Sequence, residues 1–203
     1  MLRSLCNQEG LKIAANIIAD GGTVVFPTDT VYGLGCNPFL RKAVNKVVNL
    51  KKRKNKPLPI LISNVNRISK IVDLGDLGYK LAEKFWPGPL TLIAPTRCKK
   101  IVPEIMAGKN TLGIRVPEHA WLTRLIERVG GYIVGTSANR SGDTSPNSIL
   151  EVFRSLGNGA DLYVDGGITS LGKESTILDI SNNKLNLIRE GYIPFKIIEE
   201  SLF

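Results

Sequence analysis

Apolar positions along this chain follow two alternating spacings. Leu11, Ala14, Ala15 and Ile18 recur three and four residues apart, and Gly21-Gly22 follows directly after Asp20. That pattern predicts a helix with one buried face and a glycine stop. Residues 23–26 then read as a short buried strand ended by Pro27. Leu40, Ala43, Val44, Val47 and Val48 form the stripe of a second helix. A strand is predicted over 58–62, helical turns over 68–72 and 77–85, and a break at Trp86-Pro87-Gly88-Pro89. Strands over 90–94 and 111–116 flank a short helix or turn at 102–107. Leu122, Leu125, Ile126 and Val129 mark a further helix closed by Gly130-Gly131.

The strand at 132–135 runs into Thr136-Ser137-Ala138-Asn139. Ser145-Pro146 has the form of a helix start, serine capping and proline in the first turn. Strands over 162–164, 175–180 and 184–189 follow, the last two joined by a turn at Asn182-Asn183. Residues 194–202 close as a short helix. Such alternation predicts an α/β fold on one twisted open sheet with flanking helices, and the late hairpin makes the sheet mixed. With no repeat, low-complexity tract or linker, residues 1–203 read as one domain.

Charge adds a direction. The 27 Lys and Arg against 18 Asp and Glu leave a net charge of +9, which suits anionic partners such as nucleotides, pyrophosphate or RNA. Cys6, Cys36 and Cys98 are odd in number and widely spaced, so neither a disulfide framework nor a metal-ligand pattern is predicted. The N-terminus runs into a polar stretch rather than an apolar one, and no apolar run approaches the roughly 20 residues that span a bilayer. A cytoplasmic protein without membrane contact is the expectation.

Several chemistries are missing from the sequence. His119, the one histidine, follows Pro117-Glu118 at an expected helix start and reads as a cap or surface residue. Walker A, GxGxxG and paired CxxC motifs are absent. Four other segments depart from simple core and loop. Residues 27–35, PTDTVYGLG, gather two hydroxyls, a carboxylate and a phenol after a buried strand, with glycines that allow close backbone approach; a capped turn would look similar. Residues 51–57, KKRKNKP, place five cations in six positions. They suit a helix C-terminus, yet their mutual repulsion would also be relieved by a bound triphosphate. Arg115 interrupts the apolar strand of TLGIRVP and requires an anion, either a structural carboxylate or a substrate's. Residues 135–142, GTSANRSG, follow a strand end, where open α/β sheets bind ligands.

Taken in order, PTDTVYGLG (27–35), the KxR element at Lys51 to Arg53 leading to KPL (56–58), WPGPLT (86–91), GIRVP (113–117), TSAN (136–139) and EST (174–176) resemble the YrdC/threonylcarbamoyl-AMP synthase family in its short form. The likeness runs from about Gly21 to Arg189. It implies a YrdC-like fold, of the dsRBD-like superfamily, with a basic concave face. It also implies condensation of L-threonine, bicarbonate and ATP, with Mg2+, into threonylcarbamoyl-AMP and pyrophosphate. Downstream, a threonylcarbamoyl transferase complex would modify adenosine 37 of tRNAs that read ANN codons, and tRNA itself is a candidate partner.

Carried over residue by residue, Thr28, Thr30, Tyr32, Arg115, Gly135 and Ser175 would form the threonine site. Arg53, Lys56, Thr111, Ser137, Asn139, Ser145 and Arg189 would hold ATP, Lys51 and Arg53 acting in catalysis, and no residue would ligate a metal directly. Two positions depart from the family pattern: only Lys54 and Asn55 separate Arg53 from Lys56, one residue fewer than is common, and Leu61 stands where some relatives carry histidine. The alternatives are a double-stranded RNA or tRNA-binding module without adenylating activity, which the charge supports, and a carbamoyl-adenylate enzyme of metal-centre maturation, whose zinc-finger and acylphosphatase parts are absent here.

Overall fold

The computed structural model describes residues 2–53 and 55–202. The first helix, α1 (Gln8–Ala19), is capped by Asn7, whose side chain accepts from the Gly10 amide at 2.9 Å, and Gly21 turns the chain away at φ 79°. Its buried stripe is the predicted one: Leu11, Ala14, Ala15 and Ile18. They pack with Leu122, Leu125 and Ile126 of α5 (Ala120–Arg128) into a core of their own, above Val24 and Phe26.

The expected mixed α/β class is observed, but the strands divide into two sheets rather than one. The first runs in the order β1 (Leu2–Leu5), β9 (Leu162–Asp165), β2 (Val24–Phe26), β3 (Gly33–Gly35), β8 (Thr136–Ser137). The second runs β11 (Asn186–Arg189), β10 (Thr176–Asp179), β5 (Leu90–Pro95), β6 (Thr111–Arg115), β4 (Ile60–Ile62), β7 (Tyr132–Val134). Both mix parallel and antiparallel pairs. The main core is built around the second sheet and reaches Val25, Tyr32 and Leu34 of the first. The remaining helices are α2 (Arg41–Leu50), α3 (Gly75–Phe85), α4 (Pro103–Met106), α6 (Ile149–Leu156) and α7 (Phe195–Glu200), with a 3-10 helix at Val65–Lys70.

The two sheets meet at one place. β7 leaves the second sheet, passes through Gly135 and enters the first as β8. There the Val134 amide donates to the Cys36 carbonyl at 3.0 Å, and the Gly135 amide to the Pro59 carbonyl at 2.9 Å. A Cβ on Gly35 would lie 2.2 Å from the Val134 carbonyl oxygen, and one on Gly135 would lie 2.3 Å from Leu61. At Gly35 only glycine lets the backbones come this close, and at Gly135 any larger residue would have to displace the Leu61 side chain.

Three local readings change. Residues 2–5, to which the sequence pattern assigned no element, form an edge strand parallel to β9. PTDTVYGLG is an antiparallel hairpin, its Gly-Leu-Gly pairing with Val24 to Phe26. Ser145-Pro146 does not start a helix. The Pro146 carbonyl accepts from the Tyr32 amide at 2.8 Å, which holds this segment extended. The helix begins after Ser148, which caps the Glu151 amide, while the Glu151 carboxylate accepts from the Asn147 amide at 2.7 Å.

Candidate active site

The hairpin turn of PTDTVYGLG, the ends of β5, β6 and β10, and the β7–β8 crossing enclose one half-open cleft of about 640 Å3, counting space open to solvent. Thr28, Thr30, Tyr32, Arg115, Gly135 and Ser175, the whole expected threonine set, line it. Arg53, Ser137 and Arg189 of the expected nucleotide set line it too.

Arg115 is 5% exposed, and the carboxylate that answers its charge is Asp29, itself 3% exposed. One terminal nitrogen donates to both Asp29 oxygens at 2.5 Å, the other to the Thr30 hydroxyl at 2.9 Å, and Nε to the Gly88 carbonyl at 2.9 Å. Of the two partners the sequence left open, the structure supplies the structural carboxylate. Burial pulls the guanidinium's pKa down, against the upward pull of the Asp29 charge. The WPGPLT segment, with a cis Trp86–Pro87 bond, has its chemical meaning here: it presents Gly88 to Arg115 and Thr91 to the cleft. Thr91 and Ser175 share a hydroxyl hydrogen bond of 2.8 Å, as Thr28 and Thr30 do at 2.9 Å. Tyr32 lines the cleft, but its phenol is committed elsewhere. It donates to the Gly167 carbonyl at 2.7 Å and accepts from the Gly166 amide at 3.1 Å, and burial raises its pKa to about 12.

The basic segment is the C-terminal exit of α2. Lys51 caps the helix, Lys52 turns left-handed at φ 50°, and the Arg53 amide returns to the Val48 carbonyl at 2.9 Å. This geometry drives Lys51 inward, to 1% exposure. Its Nζ donates to the Ser137 carbonyl, to the Asn139 carbonyl at 2.6 Å and to the Asn139 side-chain oxygen at 3.2 Å. Burial and the nearby Arg53 lower its pKa to about 7, opposed by Glu174 and Asp143. Lys51, expected in catalysis, therefore stands behind the cleft wall, where it holds the TSAN loop.

Arg53 does face the cleft, its guanidinium braced by the Pro57 carbonyl at 2.8 Å and the Lys56 carbonyl at 3.3 Å. Lys56 itself is exposed and off the cleft wall. Lys54, in the same element, lies outside the described residues.

Three further expectations change. Asn139 is buried as the partner of Lys51 and donates to the Asp143 carbonyl at 2.6 Å, so it shapes the loop from within. Thr111 sits opposite Pro95 at the far end of β6. Four strand steps, roughly 13 Å at the usual rise, separate it from Arg115. Ser145 is absent from the cleft wall and donates instead to the carboxylate of Glu174, which does line it. Glu174, Thr91 and Thr136 are the polar wall residues given no role from sequence, although all three lie within quoted motifs. Leu61, at the position where histidine was noted, also lines the cleft. His119 is a cap, as read: its Nδ1 accepts from the Leu122 amide at 3.3 Å.

Comparison with known proteins agrees with this geometry. Residues 16–191 match the Sua5/YciO/YrdC family model, described as "Telomere recombination". A threonylcarbamoyl-AMP synthase of Pyrococcus abyssi is 36% identical over 193 residues, which cover 94% of this chain and 56% of that protein. One of Marinobacter nauticus is 34% identical, covering 84% of this chain and 90% of that protein. The crystal structure of P. abyssi Sua5 complexed with L-threonine superposes with a TM-score of 0.92 at 34% identity, over 99% of this chain and 59% of that one. The chain thus spans little more than half the length of the P. abyssi protein, and 90% of the M. nauticus one. With the ordered motifs folded around one cleft and the family model matched across nearly the whole chain, this protein belongs to the Sua5/YciO/YrdC family.

Proposed function

We propose that the chain is an L-threonylcarbamoyladenylate synthase, joining L-threonine, bicarbonate and ATP into threonylcarbamoyl-AMP and pyrophosphate. The observation that carries this reading is the single cleft in which a hydroxyl-lined pocket around Arg115 adjoins Arg53 and Arg189. The pocket of Thr28, Thr30, Gly135 and Ser175 has the size and polarity for a small hydroxy amino acid. The P. abyssi relative solved with L-threonine supports that assignment.

In the reaction, threonine's amine adds to carbon dioxide with loss of a proton, or to bicarbonate with loss of water, to give a carbamate. A carbamate oxygen then attacks the α-phosphorus, the bond to the β-phosphate oxygen breaks, and pyrophosphate leaves. Charge grows on the transferring and leaving oxygens, where Arg53 and Arg189 oppose it. Proton transfer is a small part of this chemistry, so placement of the two substrates dominates, with Lys51 holding the TSAN loop that forms one wall. Mg2+ would enter with ATP as part of the substrate and would supply positive charge to offset that of the phosphates. The product would pass to a threonylcarbamoyl transferase complex for tRNA modification, in the cytoplasm; among the described residues no helix is long and apolar enough to cross a membrane.

Incubation with radiolabelled bicarbonate, threonine, ATP and magnesium is expected to yield labelled adenylate and pyrophosphate, dependent on threonine. Absence of product, together with tight salt-sensitive RNA binding, would replace this reading with that of an RNA-binding module.

A further inference from the structure

The cleft contains an acid in the wrong place for a phosphate site. Arg53, Arg115, Arg189 and Glu174 are its charged wall residues. Arg115 is neutralised by Asp29, which leaves two guanidiniums facing one carboxylate. Glu174 is bound at both oxygens by groups suited to phosphate. One oxygen accepts from the Ser145 hydroxyl, and the other pairs with Arg189 at 2.5 Å. Its charge also raises the pKa of Arg53, which Arg189 lowers, so the same carboxylate shields two cations that repel each other. Meanwhile Arg189 Nε is buried with no hydrogen-bond partner among the described residues. An orphan donor on a guanidinium whose other nitrogens hold Glu174 and the Ser175 carbonyl is a site lacking an acceptor.

We infer that Glu174 is an internal counter-ion that occupies the polyphosphate position on Arg189 and Ser145 and exchanges with the nucleotide's phosphates. Binding of a polyphosphate displaces the carboxylate, and its return helps to expel pyrophosphate. The residue therefore weakens polyphosphate binding while keeping the empty cleft's cations neutralised. Glu174 adjoins Ser175 of the amino-acid pocket, so its exchange also bears on the neighbouring substrate. This inference rests on the reading of the cleft as a nucleotide site, and it predicts a sign: removing the acid tightens polyanion binding. A carboxylate that served as a magnesium ligand would give the reverse.

Calorimetric titration of inorganic pyrophosphate into the wild-type chain, Glu174→Gln and Glu174→Ala, with EDTA and again with magnesium, tests it. Both variants are expected to bind roughly three- to tenfold more tightly than wild type in EDTA, the gain shrinking as salt is raised. Thermal denaturation confirms that each variant is folded. Equal or weaker binding by both folded variants, or a loss of binding seen only with magnesium, would overturn the counter-ion role. If the wild type forms adenylate yet the variants bind no tighter, this inference fails alone. If the variants bind more tightly but the wild type makes no adenylate, the synthase reading fails and Glu174's role stands. If no chain binds pyrophosphate, the counter-ion role falls, and adenylate formation alone decides the synthase reading.

Discussion

Arg115 shows how a buried side chain can be structural and functional at once. Its guanidinium joins β6 to the PTDT turn through Asp29 and to the WPGP turn through Gly88. Removing one partner of such a pair leaves the other charge buried and unanswered, at a cost of about 3–5 kcal/mol. Arg115→Ala is therefore expected to lower stability by about that amount in urea denaturation, besides abolishing threonine use. The double variant Asp29→Asn, Arg115→Met should recover much of the stability while staying inactive. Equal stability of Arg115→Ala and wild type would show that Asp29 does not depend on this arginine. At this scale the sequence identified the arginine but not its partner, because a carboxylate 86 positions away is joined to it only by the fold. Lys51 illustrates the same gap. A lysine beside an arginine in a basic run looks like a phosphate ligand, and only the left-handed turn at Lys52 directs it toward the carbonyls of Ser137 and Asn139.

Elements with a strong apolar period were legible: the stripe of α1 matched in full and those of α2 and α5 at their central residues, Leu40 being exposed and Val48 and Val129 half-buried, and the glycine stops after α1 and α5 and the β10–β11 hairpin formed as read. Apart from β1, the strands that escaped were those whose composition hides them. β3 is Gly-Leu-Gly and β8 is Thr-Ser, too small or polar to show a period of two. Both lie in the cleft, where small residues make room for ligand.

The sheet junction depends on this. Gly35→Ala would place a methyl against the Val134 carbonyl, so it is expected to cost about 1–3 kcal/mol and to weaken threonine binding, both measurable by denaturation and calorimetry. An unchanged melting curve would contradict the close approach. The cap of α5 carries a pH dependence. His119 accepts through Nδ1, which needs the neutral ring, and burial lowers its pKa below the ordinary 6.5 against the pull of Asp29. The unfolded chain thus takes up a proton first as pH falls, and stability is full above 6.5 and declines below it. Between pH 7 and 5 the wild type should lose more stability than His119→Asn, which keeps a cap at any pH. Parallel losses in the two proteins would exclude this role.

For the whole molecule, the mixed α/β class was readable from alternation, whereas the division into two sheets was not. Nothing in the apolar pattern of 132–137 marks Gly135 as the point where the chain changes sheets. Yet this crossing brings the TSAN loop against the PTDT turn and so forms the cleft. The surplus of nine positive charges pointed to an anionic ligand, and the fold concentrates that tendency where Arg53 and Arg189 meet. Every residue expected at the amino-acid site lines the cleft, whereas of those expected at the nucleotide only Arg53, Ser137 and Arg189 do. Short hydroxyl motifs lie on the turns that form the wall, while Lys56, Thr111 and Asn139 turn away from it.

The most direct measurement is a crystal structure of the chain with L-threonine and a non-hydrolysable ATP analogue. It should show both ligands in this one cleft, the amino acid between Thr30, Arg115 and Ser175 and the phosphates against Arg53 and Arg189, with the carboxylate of Glu174 moved off Arg189. Threonine or the nucleotide bound on another face, with these residues left unoccupied, would contradict the shared cleft on which the synthase reading stands.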